Sequence, residues 1–168
     1  MIHHVKGSKT SSKFLFAHPA HFFALGFGAG LSPKAPGTIG TLVGFPIFWL
    51  LDLLPLPFFW PALAVLFIAG VPICEQAGRA LGVADHGSIV WDEIVAFVLV
   101  LAFTPRSLPW TVGAFAVFRV FDIWKPFPID RCDRAIKGGF GVMLDDLLAA
   151  GYAILLILAA QKLLNGAT

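Results

Sequence analysis

The stretch FRVFDIWKPFPIDRCDRAIKGGFGVMLDDL, residues 118–147, decides how the rest of the chain is read. It holds five of the ten carboxylates, Asp122, Asp130, Asp133, Asp145 and Asp146, and five of the twelve cations, Arg119, Lys125, Arg131, Arg134 and Lys137. The sequence on either side is oily. Over all 168 residues, 58% are hydrophobic and 13% charged, with a mean hydropathy of +0.83. A soluble domain carries about 25% charged residues, so the balance specifies an integral membrane protein. Ionisable groups near a bilayer are costly and mark sites. The island therefore predicts a metal-and-phosphate site at the membrane surface.

Composition closes off several other classes. A net charge of +2, with no basic run, does not suit nucleic acid. Two cysteines, Cys74 and Cys132, make neither a disulfide framework nor a zinc spacing. No Cys-x5-Arg is present, because Ala80 and Gly138 stand where the arginine would be, and there is no Gly-x-Ser-x-Gly elbow. His18, His21 and His86 stand singly and read as interfacial or structural. The start, MIHHVKGSKTSSKF, is basic but lacks the apolar core of a signal peptide. Residues 1–17 are expected to form a flexible basic tail, and 18–168 a single membrane-embedded domain.

Going along the chain, ALGFGAGLSPKAPGTIGTL (24–42) carries five glycines and two prolines. Such a stretch makes a poor lipid-exposed helix, and irregular backbone at membrane depth needs protein or water around it. It is expected to be a loop folded over the site, entering a helix near Thr38. Apolar runs follow at 41–54, 58–74, 94–103, 110–121 and 147–164. Several are shorter than the roughly 20 residues of a full span, so their polar flanks must continue the helices. The expected fold is all-α, a polytopic membrane helix bundle of four or five spans, some short or re-entrant.

Orientation follows from lysine and arginine in the loops. The tail and the 122–146 island are rich in them, whereas the turn at Pro55 has none and 104–109 has only Arg106. Five spans starting in the cytoplasm put the tail, 75–93 and 122–146 on the cytoplasmic side. All carboxylates but Asp52 then share one face.

Two adjacent acid pairs stand out on that face, Asp92-Glu93 and Asp145-Asp146, each before an apolar run. Hard cations such as magnesium prefer carboxylate oxygens. Acids at helix starts also serve as caps that complement the macrodipole, but two doubled pairs together with Asp122 and Asp85 favour metal. Lys34, Arg119 and Lys125 supply phosphate donors, and a glycine-rich loop before a helix can offer backbone N–H groups. Positive-inside anchoring accounts for Arg131, Arg134 and Lys137. It accounts less well for Lys34 and Arg119, which lie in Gly-rich or apolar stretches. The segment Gly138-Gly139-Phe140-Gly141 either joins the site or simply breaks the chain before the last helix.

With these motifs assembled, the chain resembles the phosphatidylglycerophosphatase A family of bacterial membrane lipid phosphatases. The resemblance covers residues 26–152 and rests on GFGAGLSPKAPGTIGTL (26–42), DHGSIVWDEIVAF (85–97), FRVFDIWKPFPI (118–129) and GGFGVMLDDLLAAG (138–151), in that order. It implies magnesium-dependent removal of the terminal phosphate of phosphatidylglycerophosphate, giving phosphatidylglycerol, at the bacterial cytoplasmic (inner) membrane. On the matching positions, the chemistry of the side chains assigns Asp92, Glu93, Asp122, Asp145 and Asp146 to metal and catalysis. It assigns Lys34, Thr38, Arg119 and Lys125 to the phosphate. Two rival readings use the same residues differently. One is a small divalent-cation transporter or channel, against which the interiors of 94–103 and 147–164 offer no carboxylate path. The other is a lipid-binding membrane protein without catalysis.

Overall fold

The run Trp91–Ala102 is apolar nearly all round, and a helix of that kind has to be covered on every side. In the computed structural model, which describes residues 10–165, it is the central helix, with nine of its twelve residues buried. The island at 118–147 therefore does not sit at the axis of the fold but wraps one end of it. The described chain runs through α1 (Ser12–Ala17), α2 (Pro19–Ala24), a 3₁₀ segment (Gly26–Leu31), α3 (Pro36–Asp52), α4 (Leu56–Leu81), α5 (Trp91–Ala102), α6 (Leu108–Trp124), α7 (Ile129–Ala135) and α8 (Gly139–Asn165). No strand occurs among the described residues. Helices α3, α4, α6 and α8 all pack on α5.

The long helices run alternately between two ends. At one end the start of α3 meets the start of α5, through Gly37 and Glu93. There too Glu75, late in α4, accepts a 2.5 Å hydrogen bond from the Gly139 N–H at the start of α8. At the other end Arg106 pairs with Asp52 at 2.5 Å, and Gln161 donates to the Phe103 carbonyl. Asp52 is thus separated from the other nine carboxylates, as the alternation of the apolar runs predicts.

Two helices are long and apolar enough to cross a membrane, Leu56–Leu81 and Gly139–Leu164, each of 26 residues. Helices α3 and α6, at 17 residues each, and α5, at 12, are shorter. At 1.5 Å per residue they reach about 26 Å and about 18 Å, against a hydrocarbon core of roughly 30 Å. Proline does not end α4. The helix passes Pro61 and Pro72 and continues to Leu81, so the polar flank Glu75–Leu81 lengthens it as expected.

Three local expectations change. The 24–42 stretch is mostly helical rather than a single loop, with only residues 32–35 between the 3₁₀ segment and α3. It leans on the approach to α5, where the Val90 N–H donates to the Ala24 carbonyl and Gly30 sits against the Ser88 carbonyl. Gly138-Gly139 does not detach the last helix from its acids. Helix α8 begins at Gly139, pressed so close to α4 that a Cβ there would overlap the Val71 carbonyl. Residues 1–9 of the expected tail lie outside the described residues, whereas Ser12–Ala17 form α1, capped by Ser11 and anchored by buried Leu15.

Candidate active site

The early start of α8 settles one question about the acids. Asp145 and Asp146 lie almost two turns into the helix and cannot be N-terminal caps, because capping acts within the first turn. They are nevertheless buried, at 4% and 2% exposure. Buried carboxylates need partners or cations. Asp92 and Glu93 do occupy the first turn of α5.

Consecutive helical residues point about 100° apart and do not face the same neighbour. Each acid pair is accordingly split. Glu93 and Asp146 turn towards Asp122 on α6, and one oxygen of each of the three lies within 4.8 Å of the others. Asp145 turns instead towards Asp85 and Asp133, forming a second group of the same size. Asp92 belongs to neither group of three. It is buried with its Oδ1 unpaired, beside apolar residues of α4 and α8.

Arg119 sits in the first group. Its Nη1 donates to Glu93 Oε1 at 3.0 Å, to Thr41 Oγ1 at 3.3 Å and to Asp122 Oδ2. Its Nε is buried and has no hydrogen-bond partner among the described residues. Asp122 is in the last turn of α6, three residues from Arg119, so both side chains leave the same helical face. Glu93 reaches between α3 and α5 because Gly37 and Gly40 leave it room. A Cβ on Gly37 would overlap the Glu93 carboxylate.

Lys125 organises the second group. It ends α6 in a left-handed conformation, φ 45°, which turns its side chain off the helix. Its Nζ donates to Asp145 Oδ2 and lies 3.5 Å from Asp133 and 4.0 Å from Asp85. Burial opposes its charge, but the hydrogen bond to Asp145 and the charges of Asp145, Asp85 and Asp133 hold the ammonium above its ordinary range.

The donor set of the first group fits a hard cation. Three carboxylates face one guanidinium, so negative charge is in excess. Glu93 Oε2 and Asp146 Oδ2 are both buried and unpaired. Carboxylate oxygens with no nitrogen or sulfur donor among them suit magnesium or a similar ion. The second group fits less well, because Lys125 lies by all three of its carboxylates and Asp85 is exposed, whereas Asp146 of the first group is buried and pairs with no cation among the described residues.

The remaining residues singled out in the sequence fall outside these groups. Lys34 is exposed in the 32–35 turn, and its ammonium pairs with no acid among the described residues. Thr38 is half-buried in the first turn of α3, with no side-chain hydrogen bond among the described residues. Thr41, not singled out in the sequence, is the threonine beside Arg119: it is fully buried, donates to the Gly37 carbonyl and accepts from Arg119. The signal for it was the small-residue spacing Gly37, Gly40, Thr41, Gly44, one face of a helix in tight contact. Asp133 was likewise missed, since a charge on a polar helix usually means a solvated face. Arg134 pairs with Asp130, Lys137 Nζ donates to the Asp133 carbonyl, and Arg131 lies 4.9 Å over the Phe127 ring. These three cations are held locally on and around α7. The three histidines among the described residues make local contacts too: His18 caps α2, His21 stacks on Phe14, and His86 accepts from the Ser88 N–H.

A family model described as phosphatidylglycerophosphatase A matches residues 22–161, a span that contains both acidic groups and both of their cations. The chain belongs to the phosphatidylglycerophosphatase A family. A phosphatidylglycerophosphatase A of Haemophilus influenzae is 46% identical over 151 residues, covering 89% of this chain and 93% of the relative. One from Escherichia coli is 40% identical over 139 residues, covering 82% and 81%. A protein of Bacteroides thetaiotaomicron, provisionally named a phosphatidylinositol-3-phosphatase, is 40% identical over 145 residues, covering 81% and 89%. No solved structure matches the chain.

Proposed function

We propose that this chain hydrolyses the terminal phosphomonoester of phosphatidylglycerophosphate, releasing phosphatidylglycerol and inorganic phosphate. The observation that carries the reading is Arg119, half-buried among Glu93, Asp122 and Asp146, in a family of named lipid phosphatases. Residues 18–168 act as one catalytic domain, a multi-pass bundle in the bacterial inner membrane with this site on the cytoplasmic face. A substrate anchored by its acyl chains presents its head group at such an interface.

Glu93, Asp122 and Asp146 would hold a magnesium ion, whose charge would draw electron density from the phosphoryl oxygens when bound. Arg119 orients the phosphate through its guanidinium and is itself positioned by Thr41, Glu93 and Asp122. Lys125 supplies a second positive charge from the end of α6. Asp145 keeps Oδ1 unpaired while Oδ2 accepts from Lys125, and we assign it the proton of the attacking water. The water oxygen bonds to phosphorus, the bond to the glycerol oxygen breaks, and that oxygen takes the proton. Lys34, just before α3, and Thr38, in its first turn, are candidates for a phosphate oxygen entering from solvent.

Purified protein should release phosphate from phosphatidylglycerophosphate in detergent, lose that activity in EDTA and regain it with added magnesium. Phosphate release unaffected by chelation would remove the metal from this reading. Release from phosphatidylinositol 3-phosphate alone would reassign the head group.

The orientation has its own test. Single cysteines in the Pro55–Pro57 turn and in 104–109 should react with an impermeant maleimide added to intact cells, and cysteines in 85–90 should not. Labelling of 85–90 from outside would place the site on the opposite face.

A further inference from the structure

Among the described residues, Asp92 is the buried carboxylate that neither acidic group uses. It lines a groove of about 340 Å³ between α4, α5 and α8, whose other walls are apolar, among them Leu63, Ala64, Phe67, Leu99 and Leu147. That volume lies within the roughly 300–1,000 Å³ of small-molecule sites. From Asp92 to Leu99 the groove follows α5 for about 10 Å, at 1.5 Å per residue, away from the acidic end. The helices on either side of it, α4 and α8, are the two long enough to cross a membrane. Asp92 is 6% exposed, and its Oδ1 has no hydrogen-bond partner. A buried polar atom of that kind needs a polar partner.

We propose that this groove holds one acyl chain of the substrate lipid, with the Asp92 carboxylate at its mouth accepting from the free hydroxyl of the head-group glycerol and the terminal phosphate at Arg119. The lipid presents apolar chain, glycerol hydroxyl and terminal phosphate in the order that the groove, Asp92 and the Glu93–Asp122–Asp146 group present their counterparts. Asp92 and Glu93 both stand in the first turn of α5, so the mouth of the groove and the acidic group lie at the same end of the bundle although the two side chains diverge. Two other hollows lack this continuity. One of about 630 Å³ lies at the opposite end beside Asp52 and Arg106, and one of about 350 Å³ between α6 and α8 has no polar residue in its lining. Lipid tails are as apolar as the groove wall, so the groove contributes orientation more than affinity. Orientation errors of 1 Å can cost about a hundredfold in rate.

The proposal rests on the phosphatase reading, and the test separates the two. Phosphate release is measured for the diacyl substrate in detergent and for its deacylated, water-soluble head-group analogue. Ala64→Trp and Leu99→Trp fill the groove. They should lower kcat/KM for the diacyl substrate at least about tenfold while holding the deacylated analogue within about twofold, which also reports that the protein is folded. Ala160→Trp, in the hollow between α6 and α8, should leave the ratio of the two substrates unchanged. In the unaltered protein, a diacyl analogue with a diazirine in one chain should label α4 between Leu63 and Ile68. Equal losses on both substrates, or label no denser there than around Ala160, would overturn the groove. Wild-type protein releasing phosphate from neither substrate would instead overturn the phosphatase reading.

Discussion

Asp122→Asn should cut phosphate release at least about a hundredfold in protein that still folds. The substitution keeps size and shape and removes one of the three carboxylate charges that converge with Arg119. A catalytic divalent ion contributes several kcal/mol of transition-state stabilisation, and each 1.36 kcal/mol is tenfold in rate. Weakening its hold is therefore enough to produce the loss. Calorimetric titration with magnesium should show the same loss as weaker binding, a readout independent of turnover. Glu93→Gln and Asp146→Asn should behave alike, since all three share the group. Asp52→Asn should be nearly silent, because its partner is Arg106 at the opposite end. A large effect at Asp52, or magnesium binding unchanged by Asp122→Asn, would mean the site has been placed wrongly.

Arg119→Lys should lower kcat at least about tenfold, whereas Arg131→Lys and Lys137→Gln should stay within a few fold. Lysine preserves the charge but not the planar fork that can hold two phosphate oxygens at once. At position 119 one nitrogen of the fork, Nη1, already bridges α3, α5 and α6 through Thr41, Glu93 and Asp122, and Nε is left without a partner among the described residues. An ammonium there cannot meet all three and still face a phosphate. Arg131 and Lys137 make their contacts within and beside α7, against Phe127 and the Asp133 carbonyl. Steady-state kinetics on a short-chain substrate in detergent, at matched protein levels, makes the comparison. Equal losses at Arg119 and Arg131 would show the island acting as one electrostatic surface.

The residues behind these effects differ in how far the linear pattern exposes them. Asp122 and Arg119 were both legible, because charges three residues apart in an otherwise apolar helix share a face and have few structural uses. Thr41 was not, since a threonine in an apolar run looks like any other small core residue until α5 is seen against it. The role of Asp92 was concealed by its neighbour. Sequence pairs it with Glu93, but the helix sends the two side chains in different directions.

The sequence by itself determined the class and chemistry of this protein: apolar runs that must be helical, acids segregated from Asp52 by their alternation, and four motifs specific to one family. All of these are properties of composition and of local order along the chain. The tertiary structure alone decided which acids meet. It put Glu93, Asp122 and Asp146 around Arg119, gave Asp145 to Lys125, and left Asp92 at an apolar groove. Those outcomes depend on the rotation of α5, α6 and α8 about their own axes. That rotation is set by close contacts between distant positions, Gly37 on Glu93 and Gly139 on Val71 among them, and a linear pattern does not encode it.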